Sequence, residues 1–456
     1  MSDRPTRARI DEGASHAERP TADGTLPAPA PASPWKLLSP PVIGWILYDF
    51  ANTIFSYAVI TRYFNDWIIV ERGSPDWYVT IGGFVVAAAL IFSLPFFGAL
   101  ADRIGRRKPF LVGFTLLCVA MTALLGFVAS TLLALIVAGV AVYGFNSALA
   151  HYDPLLARVA PERMRPRVSG IGVASGYLGV MLTLVILGAL VADGENQQAF
   201  LPTAVLFLAF ALPCFFLVRE SPRPAVGGPL GPRAILGQLV TSLRAARGHA
   251  YGRFLLARFF YFDALATVIA FMTVYAKRTG GFSNGQVDRL LAIAIVFSVI
   301  GALVAGLLAE RLGPKRVLIA TIVMVAATLV ATGVSGAPAL LWVVGPMVGI
   351  GLGAAGATDR IFLMRLVPEA RRGEAFGLYA LVGKVSSGVG PFFLWGGTIF
   401  VLGTVLDLMG PAQASRVALC MLAAAALAGV LLLRPISDAA LAENPDAERS
   451  GAPARA

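Results

Sequence analysis

Apolar residues do not alternate with polar ones along this chain; they run together. Twelve apolar stretches can be drawn, at about 41–70, 77–100, 109–129, 131–153, 168–192, 200–218, 254–277, 288–310, 317–335, 338–366, 374–402 and 411–434. Each is long enough for an α-helix to cross the hydrocarbon core of a bilayer, roughly 30 Å thick. An element that is apolar on every side has no face to offer water, so the pattern predicts membrane spans instead of the amphipathic helices of a soluble bundle. Several stretches exceed the length a bilayer needs, which leaves room for tilt or for a helix that projects beyond it. The predicted fold is therefore an all-α integral membrane protein with twelve transmembrane helices.

The polar residues collect in the connections and in the two ends of the chain. Even-numbered loops carry the cations: Arg103, Arg106, Arg107 and Lys108; Arg158, Arg163, Arg165 and Arg167; Arg311, Lys315 and Arg316; Arg365, Arg371 and Arg372. Odd-numbered loops carry few, chiefly Arg72, Lys277, Arg278 and Arg289. By the positive-inside rule both termini are expected in the cytoplasm. Residues 1–40 are polar and Pro/Ala-rich, and they read as a disordered cytoplasmic tail without the apolar segment of a signal peptide. The connection 219–253 is long and opens with Ser221-Pro222-Arg223-Pro224, so it is the natural boundary between a first six-helix bundle, 41–218, and a second, 254–434. Within it, Ala234 to Ala246 is expected to lie as an amphipathic helix on the inner membrane surface. Residues 435–456 form a second cytoplasmic tail.

Two loops repeat one another. Gly98-Ala99-Leu100-Ala101-Asp102-Arg103-Ile104-Gly105-Arg106-Arg107-Lys108 lies between the second and third spans. Gly306-Leu307-Leu308-Ala309-Glu310-Arg311-Leu312-Gly313-Pro314-Lys315-Arg316 lies between the eighth and ninth. Gly98 is expected to let helices pack closely, and Gly105 to end a helix in the left-handed conformation. Asp102 is placed to accept hydrogen bonds from a helix N-terminus or an arginine. Leu156-Ala157-Arg158-Val159-Ala160-Pro161-Glu162 is matched by Leu363-Met364-Arg365-Leu366-Val367-Pro368-Glu369, and Asp49-Phe50-Ala51-Asn52-Thr53 by Asp263-Ala264-Leu265-Ala266-Thr267. The pairs are collinear at roughly constant offset, as two pseudo-symmetric halves arising by duplication require.

Composition closes other routes. With 57% hydrophobic and 14% charged residues the chain lies outside the range of soluble domains. Its net charge of +11 sits in short loops without interleaved aromatic residues, which speaks for orientation and anionic lipid and against nucleic acid. The three cysteines, Cys118, Cys214 and Cys420, fall inside apolar runs with no disulfide or zinc spacing. No metal cluster, cofactor motif or ATP-binding loop is present, and His151 with Asp153 lacks the nucleophile or second ligand an enzyme needs. Arginine outnumbers lysine and alanine and glycine abound, which points to a GC-rich bacterial source and hence to the inner membrane.

A charge inside a span is costly, so each one is a functional candidate. On the first span Asp49, Asn52, Ser56 and Tyr63 recur at helical spacing and are expected on one face, with Tyr48 and Asp66 at its edge. Such a face suits a water-filled cavity; alternatively, Asp49 is solvated at the cytoplasmic end or pairs with an arginine. On the seventh span Arg258 and Asp263 stand among Tyr261, Phe262 and Thr267, serving either substrate contact or local ion pairing. Lys384 lies near mid-membrane on the eleventh span, where an ammonium calls for an acidic partner or an anionic substrate group. Asp153, Arg158, Asp359, Arg360 and Arg365 fall near the cytoplasmic ends and read as a gating network. His151 beside Tyr152 reads as structural more readily than as a proton relay. The glycines of span five (Gly170, Gly172, Gly176, Gly179) and span eleven (Gly383, Gly388, Gly390, before Pro391) permit close packing and bending.

With these residues in view the chain shows a resemblance. The Gly98 to Lys108 loop resembles the signature loop of major facilitator superfamily transporters, which latches one conformational state. Tyr48-Asp49-Phe50-Ala51-Asn52, the run Pro161 to Gly179, and Arg371 to Lys384 resemble the vacuole-effluxer-like branch, whose eukaryotic relatives are autophagy-related vacuolar amino-acid exporters. The resemblance covers roughly residues 40 to 435, with Asp153 where that branch usually has asparagine and Ala375 where it has phenylalanine. It implies a monomeric secondary transporter that rocks two halves about a central cavity and exports amino acids or related metabolites. A coupled proton carried by Asp49 or Asp263 is the default energy source. The loops at Asp102, Arg103, Gly105, Arg106 and at Gly306, Glu310, Arg311, Gly313 would hold the cytoplasmic side closed. The alternatives are a lipid flippase on the same fold and a transport-dead sensor.

Overall fold

The computed structural model describes residues 39–161, 164–220, 237, 240–241, 243–367 and 372–437, without the side chains of Asp102, 165–167 and 372–374. The expected tails, most of the central connection, and Glu162, Arg163, Pro368, Glu369 and Arg371 lie outside the described residues. Where the expected surface helix is described, at 237, 240–241 and 243–246, it is helical.

Among the described residues twelve helices are long and apolar enough to cross a membrane. They are α1 Pro40–Glu71, α2 Asp76–Ala101, α3 Lys108–Leu125, α4 Thr131–Val159, α5 Val168–Leu190, α6 Asn196–Leu217, α7 Ala250–Gly280, α8 Asn284–Leu312, α9 Pro314–Ser335, α10 Pro338–Leu366, α11 Ala375–Val405 and α12 Pro411–Leu433. The boundaries follow the twelve stretches of sequence closely. Proline in the first turn opens α3, α9 and α12, where a missing N–H costs nothing. A capping box between Ser283 and Gln286 opens α8. Gly105 sits at φ +73°, the left-handed conformation expected of it. Two of these helices carry π-helical stretches: α1 at Ser56–Tyr63 and Trp67–Glu71, and α11 at Pro391–Gly397 and Phe400–Val405.

The packing repeats with an offset of six helices. In the first half α1 packs on α5 and α6, α2 on α4, and α3 on α4 and α6. In the second half α7 packs on α11 and α12, α8 on α10, and α9 on α10 and α12. The halves meet along α1–α7, α2–α11 and α5–α8, the last two being each other's counterparts under the repeat. Large apolar side chains such as Phe92, Phe127, Leu178, Phe216, Leu303 and Val334 are exposed. An exterior of this kind belongs in lipid.

Successive spans run in opposite directions, so the arginine-rich even loops gather at one end, called here the basic end, and the odd loops at the far end. At the basic end the Glu220 carboxylate accepts hydrogen bonds from the backbone N–H groups of Arg107 and Lys108, each at 2.8 Å, and pairs with Arg158 at 3.4 Å. It clasps the entry of α3 and the exit of α4 to the end of α6.

Candidate functional site

Between the halves lies a cavity of about 570 Å³, within the range of small-molecule sites. Its walls come from α1, α2, α4, α7, α10 and α11. It runs from Asn65, Thr80 and Ala270, toward the far end, to Arg258, Arg360 and Ala380, toward the basic end. Arg360 and Ala380 are exposed there. Most of the wall is aliphatic or aromatic, and its polar groups are Ser56, Asn65, Thr80, Asn146, Arg258, Arg360, Lys384 and Ser387.

Each cation has a different setting. Arg258 pairs with Asp359 at 3.2 Å, and its guanidinium lies 3.7 Å from the ring centroid of Tyr379 and 4.2 Å from that of Phe262. It is thus both an ion-pair partner and a wall residue. Lys384 donates a short hydrogen bond to the side-chain oxygen of Asn146, which joins α11 to α4 across the halves. Asp153 is within electrostatic reach of Lys384 and Arg360. Arg360 makes no hydrogen bond or close ion pair with the described residues, and its charge also reaches Asp49.

The far side of the cavity is sealed by charge. Arg62 of α1 donates to Asp288 of α8 at 2.6 Å, to Asn284 at 2.9 Å and to Asp66 at 3.2 Å. Asp66 also accepts from Lys277 of α7 at 2.5 Å and from Asn196 at 2.6 Å. Beside this hub, Asp76 of α2 holds Arg278 at 2.7 Å and the indole N–H of Trp395 at 2.9 Å. Buried pairs of this kind are kept together because breaking one strands an uncompensated charge. The hub ties α1 to α7 and α8, and Asp76 ties α2 to α7 and α11. Below these ties the α2–α11 seam continues through Phe84 stacked on Phe392 at 4.8 Å, and the α5–α8 seam through Tyr177 and Ser298 at 3.2 Å.

The expected polar face of α1 does not form as one face. Ser56 lines the cavity, but Asp49, Asn52 and Tyr63 do not. For Tyr63 the physical reason is the π-helical stretch from Ser56 to Tyr63: its i→i+5 winding takes up an extra residue per turn and rotates the remainder of the helix, so Phe64 and Asn65 reach the wall in its place. Asp49 turns toward α5, where a Cβ on Gly172 would stand 2.8 Å from its Oδ2. Asn52 is buried with neither side-chain amide atom hydrogen-bonded among the described residues. Tyr63 is buried beneath the Arg62 guanidinium.

Asp263 is likewise outside the cavity wall. It is buried against α11, and its Oδ1 accepts from the Gly390 N–H at 2.8 Å, just before Pro391. The two repeat-related acids therefore do the same thing: each leans on the glycine-rich fifth helix of its own half. Gly179 comes so close to α1 that a Cβ there would meet the Phe50 carbonyl at 2.5 Å, and Thr53 donates to the Gly176 carbonyl at 2.7 Å.

The two signature loops lie at the surface of the basic end. Arg103, Arg106, Glu310 and Arg311 are exposed, and the side chain of Asp102 lies outside the described residues. The close packing expected at Gly98 is absent: a Cβ there, or at Gly306, would meet nothing within 4 Å. Gly313 carries φ +87° at the α8–α9 junction. Among the expected basic-end group, Asp359 pairs with Arg258 and Arg158 with Glu220, Arg365 is half-buried, and Asp153 is exposed. His151 is buried and stacked on Phe110 and Phe114, at 5.1 and 6.1 Å.

The sequence reading missed Arg62, Asp288, Asn146 and Glu220. Arg62 and Asp66 were legible in principle, as opposite charges four residues apart inside an apolar run. Asn146 and Glu220 carry no such signal, because only the packing of α4 on α11 and of three loops gives them a role.

Comparison with known proteins bears on this fold directly. The chain matches the Major Facilitator Superfamily over residues 41–391. It is 30% identical over 379 residues to the MFS-type transporter YxiO of Bacillus subtilis, itself uncharacterized, covering 77% of this chain and 86% of the relative. It is 24% identical over 303 residues to Autophagy-related protein 22-2 of Aspergillus clavatus, covering 59% of this chain and 48% of the relative. Among solved structures the nucleoside transporter NupG superposes with a TM-score of 0.65 at 12% identity, covering 87% of this chain and 98% of NupG. A bacterial homolog of the human lysosomal transporter Spinster, inward-facing and unoccupied, gives 0.61 at 16% identity over 88% of this chain and 95% of that one. At such identities the structural likeness is one of fold.

Proposed function

The chain belongs to the Major Facilitator Superfamily, whose members are transporters and not enzymes, and on that premise we propose that it exports a small carboxylate-bearing metabolite by alternating access. Amino acids are the first class to test, given the similarity to an autophagy-related protein 22 and the resemblance of the span-eleven sequence. The reading places the chain in a bacterial inner membrane as a monomer, with both termini and the basic end in the cytoplasm. The conformation described is then inward-facing. One observation carries the reading: the halves are locked by charge at the far end, while the cavity between them reaches exposed residues at the basic end and presents Lys384 at mid-span. A solute entering from the cytoplasm meets Lys384, and release on the other side requires the Arg62 hub to part.

In the same reading a proton is the coupled ion, carried by Asp49 or Asp263. Each packs against the glycine-rich helix of its own half, so a change in its charge bears on packing that must move. The test is counterflow of labelled carboxylates, amino acids and simple alkanoates, into proteoliposomes. Flux above empty liposomes that Lys384→Ala abolishes supports the reading. Absence of flux for every carboxylate, with flux of a fluorescent lipid analogue, replaces it with a flippase.

A further inference from the structure

We infer that the cavity selects net-anionic amphiphiles: a solute with one carboxylate or similar anionic group, an apolar body, and no ammonium. The inference rests on the transport reading above and narrows its substrate class by charge.

Three cations line the cavity and, among the described residues, no aspartate or glutamate does. Of the three, Arg258 has its charge met by Asp359. Lys384, with three N–H donors, spends one on the neutral amide oxygen of Asn146. Arg360, with five donors, spends none on the described residues. The nearby acids lie outside the wall: Asp359 is held by Arg258, Asp49 leans on α5, and Asp153, whose charge reaches Lys384 and Arg360 without a hydrogen bond to either among the described residues, stands at the basic end of α4. The space therefore offers unspent cationic donors from α10 and α11 and no carboxylate acceptor. A carboxylate seated between Arg360 and Lys384 would answer both. A ligand ammonium placed beside them would face two like charges, with only the side-chain oxygens of Ser56, Asn65, Thr80, Asn146 and Ser387 to receive it.

The rest of the wall sets the body of the ligand. Beyond Lys384 toward the far end the lining is mostly apolar, with Val86, Val142, Phe145, Phe262 and Phe271 and only neutral polar groups among them. An apolar chain there leaves no polar group of its own unsatisfied, whereas a sugar or nucleobase would bury several.

Hexanoate, norleucine and hexylamine share one apolar chain and differ in charge: an anion, a zwitterion and a cation. Thermal stability of the full-length protein in detergent at neutral pH, titrated with each, reads the preference through the ligand-dependent rise in melting temperature. Hexanoate is expected to bind about tenfold or more tightly than norleucine, with no stabilisation by hexylamine. Lys384→Gln and Arg360→Gln should each weaken hexanoate by about tenfold, and Lys384→Arg should retain it. Norleucine binding as tightly as hexanoate, hexanoate binding indifferent to both substitutions, or no stabilisation by hexanoate overturns the inference. Failure of the transport reading shows differently, as hexanoate binding without hexanoate flux in proteoliposomes.

Discussion

Arg62 and Asp288 stand 226 positions apart in sequence and 2.6 Å apart in space, on the first helix of one half and the second helix of the other. Their contact makes the far-end closure a matter of charge as well as of shape. Both halves contribute to it, so neither half can rotate away without breaking it.

Arg62→Ala should therefore release the far end. Removing one partner of a buried pair costs on the order of 3–5 kcal/mol. Here Asp66 and Asp288 are both deprived, and the outward-open state, in which they are solvated, gains. A cysteine placed at Ile60 should become reactive to an impermeant thiol reagent added at the far-end face in Arg62→Ala and stay protected in the parent. Cys118 and Cys214 are buried, so background labelling from them is low. Equal protection in both backgrounds would show that the apolar seams alone hold the far end closed.

Asp263 and Gly390 predict a split between stability and transport. Asp263→Asn keeps an oxygen to accept the Gly390 N–H, so its melting temperature should stay near that of the parent. Asp263→Ala leaves that N–H without its side-chain acceptor and should lose about 1–3 kcal/mol. If Asp263 carries the coupled proton, Asp263→Asn will also lose proton-driven accumulation while retaining counterflow. Destabilisation by Asp263→Asn as large as by Asp263→Ala would show that the charge, not the hydrogen bond, holds α7 to α11.

Two glycines should respond in opposite ways to alanine. Gly179→Ala sets a methyl group against the Phe50 carbonyl, and overpacking of this kind costs roughly 1–3 kcal/mol. Gly98→Ala meets open space and should shift stability by no more than about 0.5 kcal/mol. Melting temperatures of the purified variants decide both. A large loss at Gly98 would mean that another conformation, in which the loop closes, dominates in solution.

Asn52 offers a sign test. A buried amide without partners is a cost to the fold, of about 1–3 kcal/mol, unless something else needs it. Asn52→Leu is expected to raise the melting temperature and lower transport. Higher stability with unchanged flux would remove Asn52 from the candidates for substrate contact.

The fold was legible in the sequence because membrane helices announce themselves residue by residue. A span needs a long apolar run, and twelve such runs cannot be hidden by composition. The duplication was legible because paired loops kept their order. The site was legible only where a charge sat in an apolar run and faced the cavity, as with Arg258 and Lys384. It failed where helix periodicity was assumed to continue: Tyr63 left the wall because α1 changes its winding between Ser56 and Tyr63. It failed again where one residue type serves two purposes. Asp263 has the sequence signature of a functional intramembrane acid, yet its carboxylate is turned into the neighbouring helix. Nor does a glycine declare its neighbour, and Gly98 and Gly179 look alike until the helices are packed.

The π-helical stretch of α1 also sets how this span tolerates length change. A single-residue deletion between Ser56 and Tyr63 would let the helix relax to ordinary α geometry with every backbone hydrogen bond intact, so insertion and folding should survive it. The loss would be absorbed within the stretch, so the residues beyond would keep nearly their present orientation, with Asn65 on the wall and Asp66 in the hub. A single deletion in the α-helical part before it, Pro40–Phe55, has no such slack: it would turn everything beyond by about 100° relative to the residues before it and carry Arg62 away from Asp288. The surplus residue is a reserve of length, which lets this one stretch lose a residue while the far-end lock keeps its aim.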